Sequence, residues 1–151
     1  MTTLKRMWYL TISMPILCYK DLRIWQEAYA LTLEIYAISK VFPNEERYGL
    51  TSQIRRSALS VPSNIAEGHG RDSTLEYIRF LRIAKGSINE TLTQCRLAAD
   101  LGIVEKKNMQ TIMCRYEGVG AGINACIRSL LLRTLPPKSR PLVPSSSALN
   151  V

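Results

Sequence analysis

The stretch that most restricts the fold of this chain is residues 73–102. Tyr77, Leu81, Ala84, Ile88, Leu92, Cys95 and Ala99 recur there at helical intervals, forming one continuous apolar stripe. Ser73 stands before the pattern with Glu76 three residues on, the arrangement of a capping box, and Asp72 and Glu76 suit the positive end of a helix. Gly102 follows the last turn as a C-terminal cap. A helix of about 28 residues is about 42 Å long.

Three further helical segments flank it. The first is predicted from Asp21, as N-cap, to Val41, with Leu22, Trp25, Tyr29, Leu33, Tyr36 and Val41 as its stripe. Ala28, Leu31, Ile35 and Ile38 widen that face. Pro43 disfavours helix at Phe42, and Asn44 can cap the next segment. The second runs from Glu45 to Glu67 on Leu50, Ile54, Ala58, Val61 and Ile65, with a kink or break expected at Pro62. The fourth runs from Glu105 to Arg133, with Met109, Ile112, Met113, Tyr116, Val119, Ile123, Ile127, Leu130 and Leu131 inward. Long helices on short links predict an all-α, antiparallel up-down-up-down four-helix bundle over residues 19–134. Residues 1–18 read as a disordered or mis-assigned extension, with Met14 as an alternative to Met1 as initiator, and 135–151 as a disordered, basic Pro/Ser-rich tail.

Charge and cysteines narrow the function classes. The net charge is +8, but residues 21–128 hold fourteen basic and twelve acidic side chains, so the excess sits mostly at the chain ends. A nucleic-acid site therefore needs a local patch, or a surface multiplied by oligomerisation. Cys18, Cys95, Cys114 and Cys126 form no C-x-x-C pair, and there is one histidine, which argues against zinc; three of the cysteines lie in helical patterns, as small buried apolar residues do. The residues point to no metal and no cofactor. The apolar N-terminal run is interrupted by Thr11, Ser13 and Pro15 and lacks a signal-peptide cleavage site, and no segment is long enough to span a membrane. A cytoplasmic protein is expected.

Two constellations stand out. Gln53, Ser57, Ser60, Asn64 and Glu67 are spaced 4, 3, 4, 3 along the second helix, and Ala84, Ser87, Thr91 and Gln94, with Glu90 on the neighbouring face, form a comparable row on the third. These rows are either solvated faces or a polar network that fixes helix register or a subunit interface; their small residues favour the network. Arg55 and Arg56, with Arg79, Arg82 and Lys85 on the third helix, form a basic set. On one subunit it reads as a solvated face, whereas repeated around a ring it could bind phosphates. Within "SNIAEGHGR", residues 63–71, His69 has no orienting acid on its own face and reads as a solvent-exposed turn residue. One of Gly68 and Gly70 is predicted to supply a left-handed cap and the other a tight turn, while Arg71 reaches the end of the second helix or a carboxylate. "GVGAG" at 118–122 lacks the strand and spacing of a dinucleotide site, and marks close packing or a flexible point.

"YKDLRIWQEA" at 19–28, "FP" at 42–43, "YGLTSQIRRSALSVPSNIAEGHGR" at 48–71 and "EYIRFLRIAKGSINE" at 76–90 closely resemble the bacterial four-helix bundle family of the protein encoded in intervening sequences of 23S ribosomal RNA genes, often labelled S23 ribosomal protein. The resemblance covers residues 19–133. It implies a four-helix bundle assembling into a homopentameric ring, without enzymatic activity. It also implies similarity to the accessory protein of diversity-generating retroelements, and with it partners of two kinds: structured RNA or DNA, and a reverse transcriptase. On this reading Arg55, Arg56, Arg79, Arg82 and Lys85 are candidate nucleic-acid contacts. Gln53, Ser60, Asn64, Glu67, Arg71, Ser87 and Glu90 are a candidate interface or seam. A protein-interaction scaffold with no direct nucleic-acid role is the alternative.

Overall fold

A computed structural model describes residues 18–134. The proposed tail and all of the N-terminal extension except Cys18 lie outside the described residues. The described chain is all-α, with α1 at Arg23–Ile38, α2 at Leu50–His69, α3 at Thr74–Asp100 and α4 at Lys106–Thr134. Each helix packs on the next, and α1 packs on α4, closing an up-down-up-down bundle. Among the described residues no helix is long and apolar enough to cross a membrane.

The helix ends show how local chemistry sets the lengths. Asp21 does not cap α1. It belongs to a 3₁₀ turn, Tyr19–Asp21, after which Leu22 is extended and the helix begins without a side-chain cap. Phe42, before Pro43, is extended as the proline demands, and α1 stops short of it at Ile38. Asn44 starts a 3₁₀ turn rather than α2; the orphan donor of Leu50 is taken by the Glu46 carboxylate at 2.8 Å. Ser73 does cap α3, accepting from the Glu76 amide at 3.5 Å, while the Glu76 carboxylate turns to Arg79 instead of completing the box. At the other end Gly102 has φ +71°, and the amides of Gly102 and Ile103 return to the carbonyls of Ala99 and Ala98, a Schellman stop.

Pro62 neither breaks nor ends α2, which is assigned helix throughout Leu50–His69. Proline has no amide hydrogen, so the carbonyl four residues earlier, on Ala58, loses its helical donor. The Thr32 hydroxyl of α1, 3.0 Å from that carbonyl and 2.8 Å from its own Ala28 carbonyl, shares its one proton between the two, so the neighbouring helix supplies the donor that proline removes. Pro62 itself is buried.

The core runs the length of the bundle through Leu31 and Ile35, Ile54 and Ile65, Leu81 and Cys95, and Met109, Tyr116 and Ile123, all fully buried. On α1 the expected stripe and the buried face differ. Ala28, Leu31, Thr32 and Ile35 face the core, whereas Tyr29, Leu33 and Tyr36, and Val41 in the 3₁₀ turn after the helix, are exposed. Apolar residues cover so much of α1 that periodicity cannot choose the inner face; packing against α2 and α4 chooses it. Leu131, expected inside, is likewise exposed near the end of α4. α4 continues unbroken through Gly118, Gly120 and Gly122.

Candidate nucleic-acid interface and the polar seam beside it

The two polar rows meet. Ser57 of α2 donates to Gln94 Oε1 at 2.6 Å and accepts from Thr91 at 2.9 Å, and Ser60 and Ser87 share a hydrogen bond at 2.8 Å. Asn64 continues the row by donating to the Ser60 carbonyl and hydroxyl at 2.8 and 3.0 Å. Gln53 accepts from Arg56 at 3.0 Å, and Arg56 reaches across to Glu90 at 2.8 Å. Ser57, Ser87 and Thr91 are buried, so this network lies within one chain and joins α2 to α3. Hydroxyls suit the position: they satisfy one another while keeping the two backbones close.

"SNIAEGHGR" ends the seam, and its glycines play different parts from those predicted. Neither has a positive φ; among the described glycines only Gly102 does. Helix continues through Gly68 to His69. A Cβ on Gly68 would stand 2.7 Å from Phe80 Cβ and 2.9 Å from Tyr77 Cδ2, so this residue is glycine because α3 approaches it. Gly70 follows the helix with φ −80° and ψ 2°. Arg71 pairs with Glu67, as the carboxylate alternative anticipated, and its guanidinium lies 4.8 Å from the Phe80 ring centre. His69 is half-buried rather than exposed, its ring edge-on to Tyr77 at 5.9 Å.

The five basic candidates do not form one ridge. Consecutive helical residues diverge by about 100°, and Arg55 and Arg56 accordingly leave α2 on opposite flanks. Arg55 donates from Nε to Ser39 Oγ at 2.6 Å and lies over the Tyr36 ring at 5.2 Å, on the α1 side. Arg56 faces α3 and is paired with Glu90. Arg79 is 3.5 Å from Glu76. Arg82 and Lys85 are exposed on α3, and none of the ion pairs among the described residues engages them.

On the opposite side of the bundle, Arg115 of α4 binds Glu27, at 2.7 Å, and Glu34 of α1. These carboxylate bonds, to Glu34 above all, hold the guanidinium further into its charged form. Beside them lies a cleft of about 660 Å³ lined by Ile24, Cys114, Gly118, Val119 and Gly122. Of the glycines in "GVGAG", Gly122 meets the close-packing reading, since a Cβ there would be 2.7 Å from Ile24 Cγ2; Gly118 has open space. The cysteines also differ. Cys95 is buried and its thiol is pushed up to about 12 by desolvation, Cys126 is half-buried and raised for the same reason, and Cys114 is exposed, against the expectation of burial.

The class is thus an all-α four-helix bundle with a polar seam between its second and third helices. Residues 20–125 match the family of the 23S rRNA-intervening sequence protein, and the chain belongs to that family. A crystal structure from Bacteroides thetaiotaomicron, described as a protein with unknown function from the S23 ribosomal protein family, is similar with a TM-score of 0.65 at 20% identity. The similarity covers 70% of this chain and 98% of that one and shows the shared fold. No curated protein matches the chain.

Proposed function

We propose that this protein is a non-enzymatic, self-assembling bundle, a homopentameric ring whose outer α3 faces bind the phosphates of RNA or DNA. The observation that carries the reading is the pair Arg82 and Lys85, exposed and engaged by none of the ion pairs among the described residues. Each subunit offers little field alone, but a ring repeats it. Exposed Leu59, Ile83, Leu97 and Leu132 supply apolar surface for contacts between subunits. The Glu67 carboxylate is engaged by Arg71 and the His69 ring abuts Tyr77, so the reading gives "SNIAEGHGR" a packing role.

Sedimentation combined with RNA titration tests this. The expected outcome is a pentamer whose affinity for structured RNA falls steeply with salt, with a shallower slope after Arg82→Gln/Lys85→Gln. A monomer at all concentrations overturns the assembly, and absence of binding at low salt overturns the nucleic-acid role. The exposed leucines favour a second reading, a scaffold for protein partners; nuclease-resistant capture of those partners by the ring, without RNA affinity, would select it.

A further inference from the structure

The outer flank of α1 and the link to α2 carry a second, chemically different surface. Tyr29, Tyr36 and Tyr48 are 45%, 39% and 86% exposed. Trp25 stacks on Tyr29 at 5.1 Å and 12° between ring planes, which holds the start of the row rigid. Two of the tyrosines carry cations: Arg55 lies 5.2 Å from the Tyr36 ring centre, anchored by Ser39, and Arg47 lies 5.7 Å from that of Tyr48. Exposed Lys40 lies between the two tyrosines in sequence. None of the ion pairs among the described residues engages Lys40, Arg47 or Arg55. The acids of the link are Glu45, which is exposed, and Glu46, whose carboxylate is held at the start of α2. Glu27 and Glu34, also on α1, are turned to Arg115 on the other flank.

Exposed rings on α1 and on the link that follows it, with cations beside them that no ion pair among the described residues engages, match what unpaired nucleotides require. Bases stack on aromatic faces while the phosphates meet the cations. Tyr29 and Tyr36 are seven residues apart, about 10 Å along the helix axis, a distance an extended strand spans in a few nucleotides. A duplex offers no free base face and gains nothing from the rings. The geometry points to the outer flank of α1 and the link after it as a binding platform for single-stranded RNA or DNA, with bases on Tyr29, Tyr36 and Tyr48 and phosphates on Lys40, Arg47 and Arg55. It rests on the nucleic-acid role proposed above but lies on a different face from Arg82 and Lys85.

The test measures fluorescence anisotropy of a labelled 15-nucleotide oligouridine and of a labelled 15-base-pair RNA duplex on the full chain. Tyr36→Leu/Tyr48→Leu keeps apolar bulk and removes the rings. It is expected to weaken oligouridine binding at least tenfold, since each stacked base contributes roughly tenfold, and to leave duplex binding within about twofold. Tyr36→Phe/Tyr48→Phe should retain oligouridine. Lys40→Gln/Arg47→Gln, which leaves every tyrosine in place, should lower the salt slope for oligouridine by about 1.4, and keeps the question answerable if the leucine variant misfolds. Oligouridine binding unchanged in the leucine and glutamine variants overturns the platform while leaving the α3 reading intact. Loss of assembly in the leucine variant reassigns the face to a second copy of the chain. Failure of the parent protein to bind either probe at low salt overturns both readings.

Discussion

The contact between α2 and α3 and the contact between α1 and α4 solve one problem in opposite ways. Between α2 and α3 the side chains are small and hydroxyl-bearing, their hydrogen bonds are internal to the pair, and Gly68 removes the last obstacle to close approach. Between α1 and α4 long charged side chains bridge the rim, and a cleft of about 660 Å³ remains beside them. The first contact is closely packed and tolerates little change of volume; the second has room to adjust. Nominal crowding at a glycine is therefore a poor guide to its cost. What matters is whether the obstructing atom can move.

The largest expected effect separates the two contacts by the same substitution. Gly68→Ala should destabilise the protein by about 2 kcal/mol, an overpacking cost against Phe80 and Tyr77. Gly122→Ala, nominally as crowded, should change stability by less than about 0.5 kcal/mol in urea denaturation, because the Ile24 methyl borders the cleft and better helix propensity compensates. Equal losses would break the comparison. A smaller effect asks whether hydroxyl chemistry also secures the other flank of α2. Thr32→Val should cost about 1–1.5 kcal/mol by stranding the Ala58 carbonyl. In a Pro62→Ala background, where residue 62 regains an amide donor, that cost should shrink, and a double-mutant cycle measures the coupling. The smallest belongs to the α1–α4 rim. Arg115→Met should cost about 0.5 kcal/mol, because all three partners are partly exposed, and the difference should fade in 1 M salt.

Where one residue type dictates the local geometry, the sequence was a sufficient guide. Ser73 and Gly102 bound α3 as predicted, and the seam on α2 met its partner row on α3 because spacing alone fixes which residues share a helical face. α1 was harder. Tyr29, Leu33 and Tyr36 outrank Ala28 and Thr32 in hydrophobic area, yet the smaller residues face inward while Trp25 packs half-buried against the core, since the closeness of the neighbouring helices is a tertiary fact. Gly68 misled for a related reason: a glycine near a helix end suggests a cap, and only the position of Phe80 shows otherwise. The division of Arg55 from Arg56 was available in principle, because adjacent residues cannot share a helical face. Periodicity places Tyr29 and Tyr36 in the apolar stripe of α1, so their exposure could be read only from the packed helices.

Pro62 makes α2 a helix that cannot complete its own hydrogen bonding. The carbonyl it orphans has a donor only when α1 lies at one particular height, with Thr32 opposite Ala58. Sliding α1 by a turn would keep much of the apolar contact but leave a dry acceptor unpaired, a penalty of about 1–3 kcal/mol. The proline thus acts as an index mark, rejecting misaligned packings of two helices whose apolar faces would otherwise tolerate several.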